Sequence, residues 1–480
     1  MKRAAFCALA WALTTGAVAG TPVTPLEAAR LVTAQGAYAT DVRLASPEFQ
    51  GRLTGTEGYA GAARWVASEA KRAGLSAPAE FRDFLQPFPV SLSRVTSASM
   101  ELLPADGKGD ARKLALFEEF MPILTSSTGD VTAEVVFAGF GITAPGLGRD
   151  DYAGLDVRGK VVMVIRGEPK DDRDWSQFND SRARYANARA HGASACLMAD
   201  QAVASPNGER IEGTMTGEVS GEFANLLLAG RGLKVEEIRK VLEAGGTASF
   251  PTGRTVRFSV EAAPSVERTA ANVLAVLPGS DPALRKEFVL LGAHLDHCGD
   301  WPSLLPGADD NASGSAALLE VAKAAARLSP RPGRTLVFAW FAGEEMGLLG
   351  SRHLASHLPP SLGRCVAMIN LDMVGAGDGA YVAGGKNFPE LMTALQRARD
   401  AAELSFKLKD GLSKGEARAD HGPFQQAGVP AVSLFGMGGS HHGYHTPEDT
   451  AYFITPRTME AAGRVALLAA VDLAGGAAAK

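Results

Sequence analysis

The chain has 480 residues, 46% of them hydrophobic and 21% charged, with a mean hydropathy of zero. That apolar content with a net charge of only −5 excludes a largely disordered chain, and 48 Lys and Arg against 53 Asp and Glu exclude a binder that tracks nucleic-acid phosphates. Past residue 20 no apolar run reaches the ~18–20 residues that span a bilayer.

Lys2 and Arg3 precede an apolar stretch at 4–14, and Ala17-Val18-Ala19 has the small-x-small form of a signal-peptidase site. Residues 1–19 therefore read as a leader cut after Ala19, which implies a secreted or periplasmic protein. Cys7 leaves with the leader; Cys196, Cys298 and Cys365 can form at most one bridge and no disulfide scaffold. Residues 21–85 read as helical, best over 58–73, with Thr56 as cap, Gly74 as stop and Ala62, Trp65, Val66 and Ala70 on one face. The stretch 86–128 has no clear period and is punctuated by Pro87, Pro89, Pro104 and Pro122.

From about residue 130 short β-like runs (131–140, 160–165, 195–198) alternate with helical patches at 181–191 and 235–244, around a polar stretch at 200–222. This block reads as a module ending near 262. From Asn272 the alternation is regular. Strands are expected at 272–277, 288–293, 335–341, 366–371 and 431–435. Helices are expected at 313–328, 347–358, 388–402, 420–427 and 456–473. Apolar strands with helical crossovers predict an α/β unit whose parallel or mixed sheet carries helices on both faces.

In such sheets ligands bind at the carboxyl ends of strands, and the polar residues gather there. His294-Leu295-Asp296 pairs an imidazole with a carboxylate that can orient it. Asp309-Asp310-Asn311 precedes a helix in a Gly-flanked loop, and reads either as a helix cap or as a site for a hard cation. Glu344-Glu345 follows a core strand, so one carboxylate can bind metal while its neighbour stays free as a base. Asp372 ends another apolar strand, and the loop from His441 to Thr450 holds three of the nine histidines. Together these form a mixed N/O ligand set suited to zinc, with manganese or cobalt as alternatives. There is no Cys-x-x-Cys pair for a closed structural zinc site.

The strings GAHLDH, GADDNASG, FAGEEMGLLGS, NLDMVG and YHTPEDT, in this order across 272–475, resemble the secreted di-zinc aminopeptidases of the MH clan, related to the glutamate carboxypeptidases. GRLTGTEG and its helix resemble the N-terminal segment of that family. FAGFGI, GLDVRGKVVMVIRG and ARAHGASACL resemble an inserted protease-associated (PA) domain. The resemblance implies a three-layer α/β/α zinc-peptidase domain with a mixed central sheet, formed by 20–129 and 263–480, and a mostly-β PA domain at 130–262. It implies two Zn2+ ions: His294 and Asp372 on one, Glu345 and His445 on the other, and Asp310 bridging both. It makes Glu344 the general base and acid acting on a metal-bridged hydroxide, Asp296 the orienter of His294, and Tyr444 a hydrogen-bond donor to the developing oxyanion. It also implies a cis peptide at Asp310–Asn311.

The expected activity is a zinc-dependent exopeptidase, an aminopeptidase acting on peptides, with no nucleic-acid partner and no membrane span. A carboxypeptidase or dipeptidase would need cations such as Arg334, Arg352, Lys414 or Arg418 at the substrate carboxylate. A single-zinc glutaminyl cyclase uses a related fold, and an inactive receptor-like protein would have lost ligands that this chain keeps. Cys298 is not needed as a ligand. His297, His441 and His442 read as pocket-lining, Asp309 as a loop residue, and Asp420 and His421 as structural. The residue preferred at the cleaved end and the oligomeric state have no readable code.

Overall fold

Apolar runs without polar alternation become strands covered on both faces. Every residue of Thr335–Phe341 is buried, as are nearly all of Glu287–His294 and most of Arg364–Gly377. The computed structural model describes residues 22–105, 107–178, 180–206, 210–411, 419–437 and 441–475, so the expected leader at 1–19 lies outside the described residues. The three strands pair in parallel, and Ala431–Met437 adds in parallel beside Arg364–Gly377. Register sets His294 opposite Phe341 and Asp372 opposite Phe435, which brings the polar residues following these strands to one rim.

The sheet is mixed. Ser249–Leu277 runs antiparallel to Thr335–Phe341, and Gly379–Ala383 runs antiparallel to Ala431–Met437 and parallel to Lys407–Gly411. Helices Glu57–Arg72, Gly314–Ala325, Pro389–Ala401 and Pro456–Leu473 pack into one large core on one face. On the other face Leu354 of Leu349–Ser356 and Phe424 of His421–Gln426 close over Phe288, Leu290 and Val337. The result is the three-layer α/β/α arrangement.

A second unit has its own core, built by Gly129–Ala138, Val161–Ile165, Ala195–Asp200, Met215–Ser220 and helices Gly221–Leu228 and Val235–Glu243. Met215–Ser220 falls in the stretch that reads as polar. It is a buried strand because Glu218 is matched by Arg166 at 2.9 Å. Two long antiparallel strands, Leu85–Leu102 and Ser249–Leu277, run through both units. Ser249–Leu277 pairs with Gly129–Ala138 in its first half and with Thr335–Phe341 in its last residues, so position 262 lies inside a continuous strand. Leu85–Leu102 carries Pro87 and Pro89 on its exposed face while Gln86, Phe88 and Val90 point inward. An edge strand tolerates proline where no ladder donor is needed.

Cys196, Cys298 and Cys365 are buried free thiols. Among the described residues no helix is long and apolar enough to cross a membrane.

Candidate active site

The rim is assembled by the backbone before any ligand side chain acts. Gly307 opens the loop 307–314 at φ +55°, and a Cβ there would stand 2.4 Å from both the Asp310 carbonyl oxygen and the His297 ring. Only glycine fits that approach. Asn311, fully buried, ties the loop to the next strand end: its Nδ2 donates to the Leu371 carbonyl at 3.0 Å, and its Oδ1 accepts from the N–H groups of Met373 (3.0 Å) and Gly314 (2.9 Å). The Asp449 carboxylate accepts from the N–H groups of Asp309 (2.8 Å) and Asp310 (3.1 Å). Burial raises its pKa to about 7, opposed by these same hydrogen bonds. The buried Arg52 donates to the carbonyls of Leu44, Leu295, Pro306 and Gly307 from the opposite side. The Asp310–Asn311 peptide is cis.

On this frame His294, Asp310 and Asp372 meet: His294 Nε2 lies 3.2 Å from Asp310 Oδ1 and 3.5 Å from Asp372 Oδ1. Glu345 and His445 meet on the other side of Asp310, with His445 Nε2 2.9 Å from Asp310 Oδ2 and 3.0 Å from Glu345 Oε2. Each Asp310 oxygen thus faces a different imidazole. The outer nitrogen of each ring has a carbonyl beside it: Asp296 O is 3.2 Å from His294 Nδ1, and Ala204 O is 2.6 Å from His445 Nδ1. With Nδ1 protonated, each ring directs Nε2 at carboxylate oxygens. Against burial, which would lower them, the surrounding acidic groups hold both imidazoles well above their usual pKa, so a proton on Nε2, or a cation in its place, stands between the paired atoms. The separations match the ~3.3 Å edge of a tetrahedron with ~2.0–2.1 Å metal–ligand bonds. The donor set fits zinc.

Glu344 lines, with His294, Asp310, Asp372, Phe435 and Tyr444, a cavity of 180 Å³. Burial pushes its carboxyl well above the usual carboxylate range; His294 opposes this, and Glu345, Asp420 and Asp372 add to it. Its neighbour behaves oppositely: against the burial that would raise it, His445, with hydrogen bonds from His297 and His445, holds the Glu345 carboxyl down at about 2. Side by side, one carboxylate is placed to hold a cation and the other to exchange a proton. Asp296 accepts from the Glu344 N–H at 3.2 Å, while its carboxylate stands 3.7 Å from His294 Nδ1, farther than its own carbonyl oxygen. Tyr444 stacks on the His445 ring with centroids 3.9 Å apart.

Other histidines brace the candidate ligands and their loop. His297 donates from Nδ1 to Glu345 Oε1 at 2.9 Å, and His441 bonds the Asp309 carboxylate, which in turn accepts from the Gly375 N–H at 2.9 Å. His297 and Cys298 stand close enough to Glu345 and His445 to share a cation. Cys298 is buried, which pushes its thiol up, away from the thiolate a metal requires. His442 stands 3.9 Å from Glu448, away from the ligands. His421 lines the cavity, and burial lowers its pKa to about 4; Asp420 beside it is raised by burial to about 7. In the sequence Asp449, Arg52 and Ala204 carry no assigned role, and Asn311 reads only as part of a helix cap or cation loop. Asn311, Asp449 and Arg52 lie within the strings quoted above, where polarity in a turn was the available signal.

Residues 272–470 match the model of peptidase family M28, and residues 131–226 match that of the PA domain. The leupeptin-inactivating enzyme 1 of Streptomyces exfoliatus is 32% identical over 35% of this chain and 36% of its own length. The chain spans from about a third to under three fifths of the curated relatives it matches first. An aminopeptidase from Aneurinibacillus sp. strain AM-1 superposes with a TM-score of 0.67 at 23% identity, covering 94% of this chain and 96% of that one. A zinc aminopeptidase from Bacillus subtilis superposes with a TM-score of 0.64 at 22% identity, over 93% and 97%. These likenesses establish the fold. Residues 272–470 are a peptidase family M28 domain, and the chain carries a PA domain ahead of it at residues 131–226.

Proposed function

We propose that this protein is a zinc-dependent aminopeptidase that removes the N-terminal residue of peptides, exported by the leader at 1–19, with a PA domain inserted at 130–262. The observation that carries the reading is Asp310, whose two oxygens face His294 and His445 separately beside a free Glu344. His294 and Asp372 would hold one ion, Glu345 and His445 a second, and Asp310 both. The three carboxylates offset most of the charge of two divalent ions, as a buried cluster requires. Zinc bound here supplies Lewis acidity and a water acidic enough to attack a carbonyl at neutral pH. Glu344 takes the proton from the attacking water and delivers it to the leaving amine, a role its raised pKa favours. Asp296 fixes the Glu344 backbone, and the Tyr444 hydroxyl is the donor for the carbonyl oxygen as it gains charge. Selection of the amino end is supported by relatives named "probable leucine aminopeptidase".

The test is Glu344→Gln. Metal content should equal that of the wild type while turnover of aminoacyl substrates falls by about 10²–10⁴. Near-normal turnover would remove Glu344 from this role. Cleavage restricted to peptides with blocked amino ends would exclude an aminopeptidase.

A further inference from the structure

We infer that the inserted PA domain holds one zinc ligand in place: the backbone of Ala204 orients His445. This rests on the metal reading above and adds a part the M28 domain does not supply. Two hydrogen bonds join the residues in both directions. His445 Nδ1 donates to the Ala204 carbonyl at 2.6 Å, and the Ala204 N–H donates to the His445 carbonyl at 3.1 Å. His445 sits at φ +54°, a left-handed conformation that a residue with a side chain holds only when its surroundings impose it. The two-point clamp is such a surrounding.

The loop that provides the clamp is itself seated. Ala204 is fully buried in a small apolar cluster with Met121, Leu124, Cys298 and Leu305, which joins the two units. The Leu124 N–H donates to the Ser205 carbonyl at 2.8 Å, fixing the loop one residue further on. The two imidazoles differ in this respect. His294 finds its outer carbonyl two residues away, at Asp296, inside the M28 domain. His445 finds its own 241 residues away, in the PA domain. Groups that fix the outer nitrogen of a metal-bound imidazole set its tautomer and direction, and losing one costs about 10–100-fold in metal affinity. Loosening the Ala204 loop should therefore weaken the ion held by Glu345 and His445 and spare the one held by His294 and Asp372.

The experiment follows zinc release to a chromogenic chelator from the full chain. Ala204→Leu places a branched side chain where none fits and shifts the loop. A backbone ester at the 204–205 linkage weakens the Ala204 carbonyl as an acceptor without adding bulk, so the test survives if the leucine variant fails to fold. Ala204→Gly keeps the carbonyl. One equivalent of zinc should leave about 10–100-fold faster from the leucine variant, and measurably faster from the ester, with the second equivalent unchanged. The glycine variant should match the wild type. Unchanged release from the ester variant, or equal acceleration of both ions, would overturn the proposal. A wild type that takes up no zinc overturns the metal reading as well, before any variant is compared.

Discussion

Asn311→Ala should destabilise the M28 domain even without metal, by an amount readable from three hydrogen bonds. The side chain donates to Leu371 O and accepts from the N–H groups of Gly314 and Met373, and no solvent reaches it. Truncation leaves three backbone groups unpaired at about 1–3 kcal/mol each, and partial relaxation places the total nearer the lower bound, about 3 kcal/mol. For a unit of this size 1 kcal/mol moves the midpoint by roughly 2–4 °C, so the transition should fall by about 6–12 °C. Asn311→Asp keeps both acceptor functions, loses the donor and sets a buried carboxylate oxygen against Leu371 O; its loss should be about 3–5 kcal/mol, at least that of alanine. Calorimetry of the metal-free chain, following the transition of this unit, measures both. The same side chain sets the distance between Asp310 and Asp372, so zinc uptake should weaken in both variants. An alanine variant within about 2 °C of the wild type would show that these hydrogen bonds do not organise the loop.

Gly307→Ala forces a Cβ to within 2.4 Å of the His297 ring and the Asp310 carbonyl at a positive φ. The cost should be about 2–4 kcal/mol, with loss of zinc, and a fully loaded, equally stable variant would contradict the assigned geometry. Burial holds His421 neutral with a pKa of about 4, against ~6.5 in the unfolded chain. The unfolded state therefore binds the extra proton between these values. Stability from this group is complete above pH ~6.5 and is lost as pH falls toward 4, by on the order of 3 kcal/mol. His421→Phe removes the titration, so wild-type and variant unfolding curves of the metal-free protein should diverge with pH in this window; parallel curves would refute it. Burial raises the Cys196 and Cys365 thiols to about 12 and pushes Cys298 up as well. A thiol reagent at pH 8 should modify none of the three in the folded protein and all three after unfolding. Fast labelling of the folded chain would show that these sites open.

The M28 sheet was legible because burial on both faces writes itself as uninterrupted apolar runs such as Leu336-Val337-Phe338-Ala339-Trp340-Phe341. The residues that must sit at strand ends are polar and follow such runs directly, so His294, Glu344, Glu345 and Asp372 stood out by contrast. Leu85–Leu102 was hidden by Pro87 and Pro89, which read as breakers but lie on the exposed side of an edge strand. Gly379–Ala383 and Lys407–Gly411 are five residues each, too short to carry a period. Met215–Ser220 was masked by Glu218, whose partner Arg166 lies on another part of the chain.

The residues that hold the candidate ligands in place were harder to read than the candidates themselves. Asp449 and Asn311 act through hydrogen bonds to backbone N–H and C=O groups, and a polar residue in a turn has the same composition whether it caps a helix or fixes a metal loop. Ala204 marks the limit of such reading. Its contribution is a main-chain carbonyl, which every residue possesses, and its partner is 241 positions away in the other unit. No side-chain pattern encodes that contact. What specifies it is apolar packing, the small Ala204 against Cys298 and Leu305, which lets the loop come close enough for its backbone to reach His445. On the proposed metal reading, the size of residue 204, and not its side-chain chemistry, is therefore the property of the PA domain on which the placement of His445 depends.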